Sequence, residues 1–435
     1  MSKPGRVKRT LITSVAIAAS IAVVQTITTI TSWATRPQYY SLEELYQTRE
    51  RLIAEIETPG EASQPGFFAT TFLSFERELP EPKLIRQLQE IEAQILIEHR
   101  AEDNWYQALT LGGKAAEIGL IPAPTVASRQ QEQYLWQKAI DNLQAIPPDS
   151  LIAEKTAKKI QDYKESLGHA TYQLRQVQAN LLEEIRQESG LSKYATIVVC
   201  NLQRRCMSLR GDEPPASPAS LIKVPIAVAL LHKLSEENIS IDEELLVDRS
   251  NFTEDASEIR VRKRYPLKII MGQMIDRSSN IATNQLIDYV GRDYINQVLE
   301  DGGYKVTRVN YKLIGNRIKP KNIGRKANRI TSGELTEMMV QIYNREHPGS
   351  DVLIETLANQ KDRLLGYAAL EQLEKAQWLG EKTGENSKAM GTTLAMSIDG
   401  QIYIVTVTDN RGGRDPQIRK CVRAIADYII NKGSL

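Results

Sequence analysis

Cysteine is scarce in this 435-residue chain: Cys200, Cys206 and Cys421 are the only three. Three thiols can build neither a disulfide framework nor a four-thiolate zinc site. Histidine is nearly as rare, with four in all. No His-x-x-x-His pattern or Cys/His cluster groups them, so the sequence offers no metal site and no cofactor motif. Net charge is missing too, because 55 Lys and Arg stand against 54 Asp and Glu. That balance leaves no global field to draw the chain to nucleic acid. What remains is the composition of a folded protein, 41 % hydrophobic and 25 % charged, long enough for two or three domains. Cys200 and Cys206 flank a short hairpin pattern. An oxidising compartment would join them; otherwise they stay as two buried thiols.

One long uncharged run stands out at the start. Lys3, Arg6, Lys8 and Arg9 precede "TLITSVAIAASIAVVQTITTITSWAT", which carries no charge until Arg36. Its length suits a bilayer-spanning helix, and the cations before it place that end in the cytoplasm and the rest of the chain outside the inner membrane. Residues 1–36 are therefore expected to be a cytoplasmic tail and single-pass anchor. The competing reading is a cleaved signal peptide, since Ser32 and Ala34 make a small-x-small site. Either way the body is exported.

Residues 37–188 read as an all-helical stalk. Leu42, Leu45, Leu52, Ile53 and Ile56 fall near helical spacing, as do Leu84, Leu88, Ile91 and Ile95 after a Pro/Gly/Ser-bearing interruption. "NWYQAL" (Trp105, Ala108) recurs loosely as "LWQKAI" (Trp136, Ala139), each followed by an Ile-Pro break, at Ile121-Pro122 and Ile146-Pro147. The pattern fits two tetratricopeptide-like hairpins or a plain spacer, with a surface open to a protein partner. From Ser189 the texture changes. "YATIVVCNLQRRCMSL" reads as two strands, and helices are expected near 221–234, 266–276, 281–299, 331–345 and 351–359. Two late strands joined at Asp399-Gly400 and a final helix close the chain. Strands at both ends with helices between them predict an α+β domain at 189–435, one antiparallel sheet packed with helices.

The chemistry begins at "PASPASLIKVPIAVALLHKL", where Ser220 and Lys223 stand three residues apart at the start of an apolar helical run. A serine hydroxyl is a poor nucleophile until a base sits beside it. At i and i+3 the two share a helix face, and a helix opening at Ser220 would put the hydroxyl at the positive end of the dipole. Taken alone, Ser-x-x-Lys is as well read as an N-capping serine and a solvated lysine. Two further patterns follow in order: Ser278-Ser279-Asn280, at a break between helices, and Lys382-Thr383-Gly384, opening a late strand.

With these three motifs, 58 and 104 residues apart, residues 190–435 resemble the class A serine β-lactamases and the related penicillin-binding proteins, whose marks are S-x-x-K, S-D-N and K-T-G. Asn284 also falls where that family has an Asn after its second motif. The resemblance implies that Ser220 attacks a lactam or acyl-D-Ala carbonyl while Lys223 takes its proton, and that Ser278 relays the proton to the departing nitrogen. It implies that Lys382 and Thr383 grip the substrate carboxylate and Asn280 its side-chain amide. Gly384 would leave room along the strand, and the backbone N–H groups of Ser220 and Glu385 would form the oxyanion hole. The expected ligand is a β-lactam or a D-Ala-containing cell-wall peptide.

The chain departs from the family in two places. Class A enzymes clear the acyl-enzyme with a glutamate on the loop between the second and third motifs, yet residues 301–330 contain no Glu. Asn310, Asn316, Asn322 and Asn328 can orient a water there but cannot take its proton. Ser279 replaces the usual Asp of the second motif, so a carboxylate bracing that turn is expected to be missing. Acylation with slow turnover is the first expectation; a penicillin sensor with a lasting acyl-enzyme, or a D-Ala-D-Ala peptidase, shares every motif. The same loop carries nine Lys and Arg against one acid, a solvated face or a contact for anionic polymer or headgroups.

Overall fold

The computed structural model describes residues 39–57, 82–255, 257–315, 317–410, 414–433 and 435. The expected tail and anchor at 1–36 lie outside them. No described helix is long and apolar enough to cross a membrane. The chain divides into two compact units, residues 1–113 with 137–164, and residues 114–136 with 165–435.

Four helices lead the described chain: α1 (Leu42–Glu57), α2 (Pro82–Gly119), α3 (Val126–Gln144) and α4 (Ala153–Ser189). In the first unit, Leu45 and Leu52 of α1 close on Ile91 and Ile95 of α2, the stripes that helical spacing marks in the sequence. The Glu98 carboxylate accepts the backbone N–H of Leu151, and the Lys155 ammonium sits 4.3 Å from the Trp105 ring centre. Trp105 lies in α2 and Trp136 in α3.

The second unit is built on a five-stranded antiparallel sheet of order β2-β1-β7-β6-β5. Its strands are β1 (Thr196–Asn201), β2 (Cys206–Leu209), β5 (Ala376–Glu385), β6 (Ala389–Ile398) and β7 (Gln401–Asn410); β3 (Glu244–Leu246) and β4 (Arg264–Pro266) form a separate ribbon. Every residue of β1 is buried, because both faces of the sheet are covered and alternation disappears. Ile197 and Val199 face one core with Leu182 and Ile185 of α4, the short α11 (Gly366–Leu370) and the last helix, α12 (Asp415–Lys432). Val198 and Cys200 face the other, larger core. That core surrounds α5 (Lys223–Glu236), whose first nine residues are all buried, which makes it a central rather than a surface helix. Packed with it are α6 (Leu267–Ile275), α7 (Asn280–Val290), α8 (Arg292–Asp301), α9 (Ser332–Tyr343) and α10 (Ser350–Ala358).

Each helix expected from the sequence in this unit is present, with one division: Gly291, at φ +89°, breaks the 281–299 run into α7 and α8. An L side chain disfavours that conformation, so glycine ends one helix and starts the next. The β1–β2 turn brings Cys200 opposite Cys206, and the pair is a disulfide, which decides between the two readings of these thiols. Cys421 is buried and free.

Candidate functional site

Ser220 does not open a helix, as its sequence suggests. It sits in a 3-10 turn, Ala219–Ile222, and α5 starts one residue later, at Lys223. Ala219 holds φ +46°, a left-handed conformation costly outside glycine and maintained only by firm surroundings. The 3-10 turn still puts Ser220 and Lys223 side by side. Lys223 Nζ lies 3.0 Å from Ser220 Oγ, 3.0 Å from Ser278 Oγ, 3.0 Å from Asn280 Oδ1 and 2.5 Å from the Ser278 carbonyl. Lys382 Nζ reaches Ser278 Oγ from the other side, at 3.2 Å, and the Thr383 carbonyl at 2.8 Å. Three segments that the sequence separates by 58 and 104 residues thus meet on one hydroxyl, Ser278.

Lys223 is fully buried. Burial first, then the neighbouring Lys382 ammonium, pulls its pKa well below the ordinary lysine value, while Asp255 opposes them. A neutral amine has two N–H donors and one lone pair. Ser278 O and Asn280 Oδ1 can only accept, so they take both donors and leave the lone pair for a hydroxyl proton. This is the arrangement of a base. Lys382, also buried, is lowered to about 8, chiefly by burial, with Asp362, Glu381 and Asp276 holding it up.

The third motif lies at the end of β5, not at the opening of a strand as expected. Gly384 is needed there for a close approach. A Cβ on it would fall 2.9 Å from the Leu221 nitrogen and 3.1 Å from that of Ser220, so glycine makes room for the turn that carries Ser220 rather than for open space. Thr383 and Glu385 line a cavity of about 360 Å³ together with Ser220, Ser278, Asp276, Arg277, Gln360, Lys361 and Asp362. Lys223 and Lys382 join that lining through their contacts with Ser220 and Ser278, and Asn280 through its contact with Lys223. Of the lining residues sequence reasoning missed, Asp276 and Arg277 adjoin the second motif and are legible by proximity. Gln360, Lys361 and Asp362 carry no signal.

The brace expected to be missing is present from another source. The Asp255 carboxylate accepts from Ser279 Oγ at 2.5 Å and from the Ile281 N–H at 2.8 Å. The loop between motifs two and three is held by Asn284, whose Nδ2 donates to the Leu313 carbonyl and whose Oδ1 accepts the Leu313 N–H, both at 2.8 Å. Of the loop asparagines, Asn328 spends its side chain on the backbone of Asn310 and Tyr311, and Asn316 lies outside the described residues. Among the described residues, two of the loop's cations pair with carboxylates: Lys312 is fully buried against Asp288 at 2.6 Å, and Arg308 reaches Glu300 at 3.4 Å. Among the described residues no His, Cys, Asp and Glu group could hold a metal ion.

Within β5, Glu381 is fully buried, accepting from the Tyr367 N–H and the Trp378 indole. Burial, with Asp362, pushes its carboxyl up to about 8. The folded state therefore keeps a proton that the unfolded chain releases near 4.5. The stabilisation this provides is complete below that value and is lost as pH rises through about 8. Thermal melting of Glu381→Gln across pH 5 to 8 should accordingly show a flatter decline than the parent, by about 1.4 kcal/mol per pH unit at most; parallel profiles would show Glu381 ionised throughout.

The fold is shared with solved structures. PBP-A superposes with TM-score 0.50 at 24 % identity, over 58 % of this chain and 96 % of its own. A mutant of it in an acyl-enzyme complex with penicillin G matches equally, also with TM-score 0.50 at 24 % identity, over 58 % of this chain and 97 % of its own. The TLA-3 extended-spectrum β-lactamase gives TM-score 0.52 at 16 % identity, over 59 % of this chain and 99 % of its own. The comparison with curated proteins finds no match. The model of the β-lactamase enzyme family matches residues 173–432, which spans every motif of the site, and the chain belongs to that family.

Proposed function

We propose that the chain is a penicillin-recognising serine hydrolase that is acylated at Ser220 by β-lactams or D-Ala-containing peptides and releases the acyl group slowly. The observation that carries this reading is the four-way contact of Lys223 Nζ with Ser220, Ser278 and Asn280. Ser220 Oγ bonds to the carbonyl carbon as its proton passes to Lys223. The C–N bond then breaks, and Ser278, between the two lysines, delivers a proton to the leaving nitrogen. Backbone N–H groups of Ser220 and Glu385 hold the oxyanion, and Lys382 with Thr383 holds the carboxylate. PBP-A, which shares the fold, is seen acylated by penicillin G in its mutant form.

Slow release follows from what the loop offers. Asn284 presents Leu313, an apolar residue. Of the carboxylates that reach the loop, Glu254 is consumed by the N–H groups of Arg317 and Ile318, and Glu334 by the N–H groups of Val306 and Thr307 and the Thr307 hydroxyl. The Ile318 N–H in particular holds the Glu254 pKa below the ordinary glutamate value, and such a carboxylate is a weak base. The same observation favours the sensor reading, in which the lasting acyl-enzyme is the functional state and the helical residues 37–188 carry a partner surface. The Cys200–Cys206 disulfide supports an extracytoplasmic site of action, and the uncharged run before Arg36 supports attachment to the inner membrane.

The test compares a chromogenic cephalosporin with a fluorescent penicillin. One equivalent of fast colour with persistent label is expected. Steady colour at many turnovers per minute would contradict slow release, and neither colour nor label would remove the acylation reading altogether. Lys382→Ala should raise KM for carboxylate-bearing substrates. In the parent, KM should climb as pH rises through about 8, where the Lys382 ammonium is lost; a flat KM would show that Lys382 does not grip the carboxylate.

A further inference from the structure

The second motif reads Ser278-Ser279-Asn280, and its middle residue cannot supply a charge. Its outer two residues nevertheless carry the contacts to Lys223. Ser278 holds φ +57°, a strained conformation for a serine that lasts only where neighbours over-determine it. Ser279 N-caps α7 by accepting the Ala282 N–H at 3.1 Å.

Asp255 and Ser257 lie against this turn. Asp255 Oδ2 accepts from Ser279 Oγ and from the Ile281 N–H, and its Oδ1 accepts the Ser257 N–H at 2.8 Å. Ser257 Oγ donates to Ser279 Oγ at 2.9 Å. Ser279 and Ser257 are fully or almost fully buried. The carboxylate also lies at the N-terminus of an eleven-residue helix, α7, where the dipole favours negative charge.

We propose that Asp255 is a positioning residue that brings, from a segment 24 residues upstream, the carboxylate the second motif lacks, and so fixes Ser278 and Asn280 against Lys223. The carboxylate and the hydroxyl meet across the turn, Asp255 accepting from Ser279 Oγ. The proposal rests on the acylation reading for its effect on rate, but the bracing itself does not. Asp255 has an electrostatic role as well. Among the described residues, the charged groups facing Lys223 are Lys382, from β5, and Asp255, from the stretch before α6; the first disfavours the ammonium and the second favours it.

The experiment uses the full chain and four variants: Asp255→Asn, Asp255→Ala, Ser279→Asp, and the exchange Asp255→Ser with Ser279→Asp. Fluorescent-penicillin acylation is followed against pH. Asp255→Asn should slow acylation about 100-fold, the scale of a displaced catalytic group. It should also move the acid limb of the pH profile to lower pH, because the charge that favours the Lys223 ammonium is gone. Ser279→Asp alone sets two carboxylates against each other and should be slow; the exchange variant should recover most of the rate and return the acid limb toward the parent's. A purely structural role would not move that limb. An unmoved limb with parental rate in Asp255→Asn, or an exchange variant no faster than Ser279→Asp, would overturn the proposal. A parent that takes no label would refute the acylation reading instead. The bracing is then decided by amide exchange: Asp255→Ala should accelerate exchange at Ile281 and Ala282, and unchanged protection there would overturn it.

Discussion

Replacing Lys223 by methionine is expected to slow acylation of Ser220 by about 10³-fold, the middle of the range for loss of a positioned general base. Methionine keeps most of the volume of a fully buried side chain and removes only the nitrogen. Without it Ser278 O and Asn280 Oδ1 lose their shared donor, and Ser220 Oγ loses the lone pair that would take its proton. The companion variant Lys223→Arg separates two roles. If Lys223 served as a fixed charge, arginine would restore part of the rate; as a base it cannot be replaced by a guanidinium, which holds its proton at any working pH. The sign of the pH dependence agrees: acylation should rise with pH through the lowered pKa of Lys223 and level off once the amine is neutral. A rate that falls over that range, or a Lys223→Arg variant near parental activity, would assign Lys223 an electrostatic role only.

Leu313→Glu is expected to shorten the life of the acyl-enzyme by about 10²-fold or more, the contribution of a general base placed on the attacking water. Asn284 follows Asn280 by four residues on α7, so the two share a face about one turn apart. Asn280 touches Lys223, and Asn284 holds Leu313 by both backbone groups. Residue 313 is therefore held, through its backbone, beside the α7 face that carries Asn280. A glutamate there could take the water's proton as the water adds to the ester carbonyl and Ser220 Oγ departs. Release of bound fluorophore reads the lifetime directly. An unchanged lifetime, with acylation intact, would show that the slow step is not the missing base.

The features of the second unit that follow periodicity were legible in the sequence, and those that depend on distant partners were not. The β6–β7 hairpin follows from Asp399-Gly400 and the β-branched residues around it. The central helix follows from an apolar run with no polar face. By contrast, β5 extends ten residues, Ala376–Glu385, and places the third motif at its end. Its Glu381 and Lys382 read as surface charges, yet both are fully buried, supported by Tyr367, Trp378, Ser278 and the Thr383 carbonyl. Tertiary contacts override the pattern there.

The turn at Ser220 was misread for a similar reason. Nothing in Pro218-Ala219 announces the positive φ that delays the helix to Lys223. The missing aspartate of the second motif was legible, but its replacement was not. Asp255 lies 24 residues away in a segment with no motif, and only the folded chain shows where its carboxylate goes. The three motifs themselves identified Ser220, Lys223, Ser278, Asn280, Lys382 and Thr383 as one cluster, and the structure brings all six together.

The central claim is that Ser220 is a nucleophile made competent by a buried lysine amine, and intact mass followed by peptide mapping tests it most directly. Incubation of the full chain with penicillin should add one penicilloyl mass per molecule, found on the peptide carrying Ser220 and absent from Ser220→Ala. An unmodified chain, or an adduct mapped to any other residue, would contradict it.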